Sequence, residues 1–274
     1  YHLSKMASDS VKVVLAGEGS DEIFGGYSLY RTMLKMARIQ RFAPAPFFRI
    51  AARVLSPFSS FKSRKYMDWL GAGFEHSYQS TSGHLTDSIK RSLYSRDFYH
   101  ARGDYLERTF QHYFERAESM SNPLSKMLYV DAKTWLPDNV LLKADRMTMA
   151  ASLELRVPFL DHRLVEFATA LPPNFKVNDH EGKRILKQSM TNRLPDSIVS
   201  RPKMGFPVPI KNWFRVDLIQ SLRNALSLKT RFPWIDYFMI DRLLNEHAAQ
   251  KQDHSRIFLS LLVLSVWLDE YLQQ

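Results

Sequence analysis

Residues 13–27, "VVLAGEGSDEIFGGY", run from an apolar β-branched stretch into a glycine-rich turn that carries three carboxylates: Glu18, Asp21 and Glu22. The apolar part, residues 11–16, is short and ends at Gly17, which predicts a buried strand. A helical pattern begins after Gly25 and Gly26. This stretch therefore predicts a strand, a tight turn and the start of a helix.

The length and composition of the chain limit the classes of protein to which it can belong. The chain has 274 residues, of which 45% are hydrophobic, enough for one large or two modest domains. It has no apolar run of bilayer length and no secretion signal at its start, so we expect a cytoplasmic protein. There are no cysteines, which excludes disulfides and thiolate chemistry, and the nine histidines are too scattered to predict a zinc site.

The rest of the chain is predicted to be mainly helical. Helices are expected near residues 27–41, 47–55, 85–93, 104–118, 123–136, 139–153, 161–170, 182–192, 210–226, 236–249 and 254–272, with a loop-rich stretch at 56–83. A lone strand would leave its backbone groups unpaired. The pattern therefore predicts the C-terminal part of an α/β protein whose other parallel strands lie upstream. Within it, residues 1–27 hold the strand and turn, 28–83 a basic helical and loop segment, and 84–274 a helical region.

The formal charge of +10 is concentrated in one segment. Between Ile23 and Met67 there is no acidic residue, whereas the basic residues are Arg31, Lys35, Arg38, Arg41, Arg49, Arg53, Lys62, Arg64 and Lys65. Phenylalanines interleave with them at positions 42, 47, 48, 58 and 61. A surface for nucleic acid, a membrane or another anionic partner would fit this mixture. The favoured interpretation is a solvated helical face whose aromatic side chains point into the core.

The letters of the turn exclude several glycine-rich motifs. A dinucleotide fingerprint needs a glycine where Glu22 stands, and a Walker loop needs a Gly-Lys-Ser/Thr ending. A nucleophile elbow needs glycines two positions on either side of Ser20. One remaining interpretation is a simple capped turn, with Ser20 or Asp21 as the cap. The other is a Mg²⁺ site, because Mg²⁺ binds through one or two carboxylates together with substrate phosphates.

Three stretches, "GEGSDEIFGGY", "LLKADRMTMAASLELRVPFLDHRLVEFA" and "SRPKMGFPVPIKNWF", resemble the synthetase domain of glutamine-dependent asparagine synthetases. They occur in the family's order and span about residues 11–215. The resemblance implies an adenine nucleotide alpha hydrolase-like fold of the ATP pyrophosphatase type, an activity that uses ATP and Mg²⁺, and an N-terminal glutaminase domain as partner. The family's S-G-G-x-D-S pyrophosphate loop and the glutaminase domain are missing from this sequence.

The same resemblance implies roles for individual residues. Glu18 corresponds to the acid that deprotonates ammonia as it attacks an acyl-adenylate. Asp21 corresponds to a Mg²⁺ ligand, and Glu22 is expected to hold the turn. Ala16 and Gly17 occupy positions whose backbone approaches AMP, where small residues are required.

Further roles fall outside the glycine turn. Lys203 and Lys183 correspond to the basic residues that neutralise charge on the α-phosphate and pyrophosphate. Asp138 or Asp145 is expected to contact the acceptor substrate. For Glu154, Arg156 and Asp161 we expect a structural ion-pair network instead.

The predicted activity is amidation of a carboxylate by ammonia derived from glutamine, most directly aspartate to asparagine. Other carboxylates, such as sugar uronates of surface polysaccharides, stay open as acceptors, as does closure of a β-lactam ring. A non-catalytic polyanion-binding module is the rival from another class, and an ATP pyrophosphatase acting on tRNA is a weaker one. Nucleic acid is disfavoured as a partner, membrane contact is a lesser alternative, and a homodimer stays open.

Overall fold

The computed structural model of the protein describes the chain except residues 43–45, 49, 52–60, 81–82, 84, 86, 102, 104, 204, 206–207, 228–231 and 272–274. Two short strands are present, β1 (Val13–Leu15) and β2 (Glu154–Arg156). The described helices, with one π-helix at Leu136–Leu141 and one 3₁₀ turn at Pro158–Leu160, are α1 (His2–Ser8), α2 (Ser20–Phe24), α3 (Ser28–Phe42), α4 (Phe61–Ala72), α5 (Phe74–Ser77), α6 (Asp87–Leu93), α7 (Arg96–Ala101), α8 (Tyr105–Arg116), α9 (Pro123–Lys133), α10 (Leu142–Met149), α11 (His162–Ala170), α12 (Pro173–Lys176), α13 (Arg184–Met190), α14 (Asp196–Val199), α15 (Ile210–Trp213), α16 (Leu218–Ser227), α17 (Tyr237–Ala248) and α18 (Ser255–Tyr271). No helix in the described part of the chain is long and apolar enough to span a membrane.

The chain folds into two compact units. The first comprises Tyr1–Gly83 and Leu106–Lys203, and the second comprises His84–Tyr105 and Met204–Gln274. Every residue to which the sequence assigns chemistry lies in the first unit. The prediction of a mainly helical chain with one or few parallel strands is confirmed for the described residues.

The two strands pair in parallel. Val14 lies opposite Leu155, and the ladder continues where the Ala16 amide donates to the Arg156 carbonyl at 2.9 Å. The expectation of a lone strand is therefore wrong for the described residues, because β2 supplies a partner. The strand is also less buried than expected: Val13 is 44% exposed and Leu15 is 72% exposed.

The main core of the first unit forms where α3, α8 and α9 meet. Its fully buried members include Tyr30, Met33, Phe114, Met127 and Val130. Helix α9 has a well-formed N-cap. The Asn122 side chain accepts a hydrogen bond from the Leu124 amide at 2.8 Å, and Pro123 occupies the first helical position. A second cluster packs α2 against α11, through Ile23, Phe24 and Ala168.

The second unit has its own core. Its buried side chains include Phe214, Leu222, Phe232, Ile240 and Phe258. An antiparallel bridge between Tyr94 and Ile235 ties its two chain segments together. Helix α17 begins at Asp236, whose carboxylate accepts the Met239 amide at 3.0 Å.

Several expected helices differ from the structure. Two short helices replace the single one expected at 210–226, and α4 and α5 occupy part of the stretch expected to be loop-rich. The helix expected at 139–153 begins as the π-helix and ends at Met149, because the chain then enters β2. Residue 49 and residues 52–55 of the expected helix 47–55 lie outside the described residues.

Candidate functional site

The glycine turn after β1 leads directly into α2. Gly19 adopts a left-handed conformation, with φ of 86°, and a Cβ there would lie 2.3 Å from the Leu160 side chain, so only glycine fits. The Ser20 hydroxyl donates to the Gly17 carbonyl at 2.7 Å and closes the turn. Neither Ser20 nor Asp21 caps α2 with its side chain, which disagrees with the simple capped-turn interpretation.

Asp21 joins the two lysines that the sequence singled out. The Lys183 ammonium lies 2.9 Å from Asp21 Oδ1, and the Lys203 ammonium donates to Asp21 Oδ2 at 2.8 Å. Lys183 also donates to the Ser20 hydroxyl at 2.9 Å. The Oδ1 atom is buried and accepts no hydrogen bond of good geometry, even from Lys183. We call Asp21, Lys183 and Lys203 the charged cluster.

The absence of a side chain at Gly26 makes room for this cluster. A Cβ on Gly26 would lie 1.8 Å from Asp21 Oδ1 and 2.4 Å from Lys183 Cε. At Gly182, a Cβ would lie 2.1 Å from the Gly25 carbonyl oxygen. The sequence pattern therefore needs glycine at both positions for steric reasons.

The segment before Lys183 is held in place from two sides. Lys183 itself is left-handed, with φ of 54°, and its amide donates to the Phe24 carbonyl at 3.0 Å. Arg31 donates to the His180 carbonyl, and Arg38 pairs with Asp179 at 2.7 Å. Two residues of the basic segment thus bind a neighbouring loop of the chain.

The expected inward orientation of the segment's aromatic side chains is wrong for Phe42 and Phe47. Phe42 is 91% exposed and Phe47 is 61% exposed. The helix that carries Phe42 buries Tyr30, Met33 and Met36 instead, so it is amphipathic with Phe42 off its apolar face. The side chains of Phe58 and Phe61 lie outside the described residues.

Glu22 points away from the charged cluster into the protein. The Tyr27 hydroxyl donates to Glu22 Oε1 at 2.5 Å and accepts from the Trp135 indole at 3.2 Å. Burial raises the pKa of Glu22, and the hydrogen bond from Tyr27 opposes that rise. The same burial and the adjacent carboxylate raise the pKa of Tyr27. The prediction that Glu22 holds the turn is consistent with this inward orientation.

A second buried carboxyl group lies next to this pair. Asp131 is completely buried, and its Oδ2 accepts the hydroxyls of Tyr30 at 2.6 Å and Tyr78 at 2.7 Å. Burial raises the pKa of Asp131, and the hydrogen bonds that it accepts from Tyr30 and Tyr78 oppose that rise. The two tyrosines therefore satisfy one oxygen of this carboxyl group, whereas the buried Oδ1 accepts no hydrogen bond from the described residues.

Glu18 lies on the turn itself and is half-buried. No hydrogen bond or ion pair links its carboxylate to any residue that the structure describes. Ala16 is half-buried and Gly17 exposed, and a Cβ on Gly17 would meet nothing within 4 Å. Beside Glu18 there is therefore open space, although the geometry alone assigns it no role.

Asp138 and Asp145 are not linked to the charged cluster by the described contacts. Asp138 is exposed on the π-helix, and Asp145 is exposed on α10. None of the described hydrogen bonds or ion pairs joins either to Asp21, Lys183 or Lys203.

The expected network of Glu154, Arg156 and Asp161 is wrong as a single unit. Glu154 and Arg156 form an exposed pair at 2.8 Å within β2. Asp161 caps α11 and pairs with Arg163, which lowers the pKa of Asp161 to about 2. Residues at alternate strand positions share a face, which explains the first pair, whereas a helix start explains the second.

Sequence analysis missed Tyr27 and Trp135. Tyr27 is the last residue of "GEGSDEIFGGY", but its role depends on a partner far along the chain, which no local pattern reveals.

The charged cluster carries two positive charges and one negative charge. Such a cluster attracts an anion with several negative oxygens, of which a polyphosphate is the simplest.

The sequence of the whole chain matches one family. The family model for asparagine synthase matches residues 1–269. The chain therefore belongs to the asparagine synthase family.

Particular relatives agree with this assignment. The glutamine-hydrolyzing asparagine synthetase 1 of Bacillus subtilis is 32% identical over 268 residues, covering 97% of this chain and 42% of the relative. A putative glutamine-hydrolyzing asparagine synthetase of Mycobacterium tuberculosis (H37Rv) is 32% identical over 272 residues, covering 97% of this chain and 40% of the relative. The enzyme of Rattus norvegicus is 39% identical over 109 residues, 37% of this chain. The chain thus spans about two fifths of the length of the first two relatives.

Proposed function

We propose that the chain is the nucleotide-using part of an ATP-dependent carbon–nitrogen ligase that amidates a carboxylate. Aspartate is the proposed acceptor and asparagine the product. The observation that carries the proposal is the convergence of Lys183 and Lys203 on Asp21, beside the glycine turn. The parent fold we propose is the adenine nucleotide alpha hydrolase-like fold of the ATP pyrophosphatase type.

The two lysines bind and neutralise the phosphates of ATP. Attack of the acceptor carboxylate on the α-phosphorus forms an acyl-adenylate and releases pyrophosphate, which carries away the negative charge of the broken P–O bond. Ammonium groups aimed at this charge stabilise the transition state more than the ground state. The short link from Lys183 to Ser20 orients one of these groups before the nucleotide binds.

The Asp21 carboxylate is suited to be one ligand of Mg²⁺. Its Oδ1 is buried without a well-formed hydrogen bond, and carboxylate oxygen suits this hard cation. Across the described residues no three His, Cys, Asp or Glu side chains group as a metal site, so further ligands come from phosphates, water or other parts of the protein. When bound, Mg²⁺ supplies charge neutralisation of the phosphates. As phosphate accepts the two ammoniums, Asp21 is released from them.

Glu18 is the proposed general base of the second half-reaction. Ammonia attacks the acyl carbon, AMP leaves with the electrons of the broken C–O bond, and Glu18 takes the proton from the nitrogen. Its freedom from ion pairs among the described residues and the open space at Gly17 support this role. General-base assistance contributes roughly 10²–10⁴-fold.

Partners follow from the same proposal. The proposed source of ammonia is glutamine, hydrolysed at a glutaminase domain. The names of two relatives describe those proteins as glutamine-hydrolyzing, which supports this source. Val13 and Leu15 of β1 are exposed apolar side chains. Such side chains are expected on a strand that further strands or another domain would cover. The rival polyanion-binding role is weakened because Arg31 and Arg38 bind the loop at residues 179–180.

The test is ATP–pyrophosphate exchange catalysed by a full-length polypeptide that contains this chain. We expect exchange of labelled pyrophosphate into ATP that depends on both aspartate and Mg²⁺. Exchange with a sugar uronate and not with aspartate would reassign the acceptor. No exchange with any carboxylate would contradict the proposed adenylation.

A further inference from the structure

Tyr27 lies directly beneath the ammonium group of Lys203. The Lys203 Nζ atom is 5.8 Å from the centroid of the Tyr27 ring, within the range of a cation–π contact. The same ammonium donates a hydrogen bond to Asp21 Oδ2 at 2.8 Å. The ammonium therefore contacts both an aromatic face and a carboxylate.

The backbone does little to fix Lys203. Residues 201–203 have no regular secondary structure, and the Lys203 side chain is half exposed. A free lysine stem samples many rotamers, and its ordering is entropically costly. Contacts at the ammonium must therefore supply the orientation that a helix or strand would otherwise give.

Tyr27 is itself rigidly held. Its hydroxyl lies between Glu22, to which it donates, and Trp135, from which it accepts. Its ring packs against Tyr30 at 5.7 Å between centroids. Glu22 is 2% exposed, so the anchor of the phenol is in the protein interior.

We propose that Tyr27 is a positioning residue: its ring face holds the Lys203 ammonium beside Asp21, and its hydroxyl, fixed by Glu22 and Trp135, holds the ring. This inference rests on the proposed function, in which Lys203 binds phosphate. It assigns Tyr27 no contact with substrate. The ring and the hydroxyl of Tyr27 have different roles in this proposal, and two substitutions distinguish these roles.

Tyr27→Phe keeps the ring and removes the hydroxyl, whereas Tyr27→Leu removes the ring as well. The first readout is the ε-methylene NMR resonance of Lys203 in protein with labelled lysine, assigned by its loss in Lys203→Arg. A ring face displaces this resonance upfield. We expect the displacement in the natural protein and in Tyr27→Phe, and its loss in Tyr27→Leu. An unchanged resonance in a folded Tyr27→Leu protein would overturn the proposal.

The second readout is the affinity for inorganic pyrophosphate, measured by calorimetry. We expect Tyr27→Leu to weaken binding by about two- to tenfold, and Tyr27→Phe to restore most of it. In Lys203→Met, the further change Tyr27→Leu should have no additional effect, because the cation it positions is gone. Additive losses would overturn the proposal.

The two readouts separate this inference from the proposed function. If no variant binds pyrophosphate while the resonance shifts as expected, the phosphate role of Lys203 is wrong and the contact between Tyr27 and Lys203 stands. If the resonance shifts and pyrophosphate binds equally well to natural protein and Tyr27→Leu, the positioning role is overturned and phosphate binding stands.

Discussion

Lys203 donates a 2.8 Å hydrogen bond to Asp21 across 182 positions of sequence. The contact brings the third family-like stretch of the sequence onto the first one. Since Lys183 reaches the same carboxylate, the site depends on one acidic residue that holds two basic residues in place.

Gly26→Ala should destabilise the protein. Its Cβ would overlap Asp21 Oδ1 and Lys183 Cε, and such overpacking typically costs about 1–3 kcal/mol. Urea unfolding gives the free energy. Gly17→Ala is the matched control, since its Cβ would meet nothing, and equal destabilisation by the two changes would contradict the packing account.

Glu22→Gln should change how stability depends on pH. The raised pKa of Glu22 means that the folded state holds a proton which the unfolded state releases from about its ordinary pKa of 4.5. Stability therefore falls as the pH rises from there through the folded pKa. Glutamine does not titrate, so Glu22→Gln should not lose stability in this pH window. The free energy of unfolding of Glu22→Gln, relative to that of the natural protein, should therefore increase as the pH rises.

Tyr27→Phe provides the opposite case for the same measurement. The Tyr27 hydrogen bond lowers the pKa of Glu22, so its removal should raise that pKa further and steepen the loss of stability with rising pH. Urea unfolding at a series of pH values compares the three proteins. A difference between Glu22→Gln and the natural protein that is independent of pH would show that Glu22 is not perturbed as the structure indicates.

Lys203→Ala should slow adenylation strongly in the full-length polypeptide. Charge on the departing pyrophosphate develops in the transition state, so about 10²–10³-fold in ATP–pyrophosphate exchange should be lost with little change in acceptor binding. Lys5→Ala, an exposed lysine on α1, is the control. Exchange that survives Lys203→Ala unchanged would make Lys203 a surface residue.

The isolated chain of 274 residues should form little or no amide from ammonia, aspartate and Mg-ATP. The S-G-G-x-D-S stretch, which the resemblance to the family implies as the pyrophosphate-binding loop, does not occur in these 274 residues. Product can be followed by chromatography of labelled aspartate. Robust synthesis would show that the residues present here suffice.

The sequence predicts the local features well where several signals agree. The strand, the glycine turn and helices such as α9 and α11 were expected close to where they lie, because apolar periodicity coincides with capping residues. Strand β2 was missed because Glu154, Leu155 and Arg156 are too few for a period, and only pairing with β1 makes them a strand.

The roles of the site residues stay predictions, and the sequence pointed to these residues only through resemblance to a family. Lys183, Lys203 and Asp21 were expected to act together, through their likeness to family motifs, and the structure brings them into contact. Tyr27 and Trp135 were not expected, since their link exists only after α2 and α9 pack together. Tertiary contacts of this kind leave no local sequence signal.

The most direct test of the account separates its two acids. In the full-length polypeptide, rapid-quench detection of the acyl-adenylate followed by addition of ammonia measures both half-reactions at once. We expect Glu18→Gln to make adenylate and fail to convert it to amide, because glutamine cannot take the proton of ammonia. We expect Asp21→Asn to fail earlier, at adenylate formation, because a neutral amide binds Mg²⁺ poorly. Adenylate formed by Asp21→Asn but not by Glu18→Gln would contradict the account.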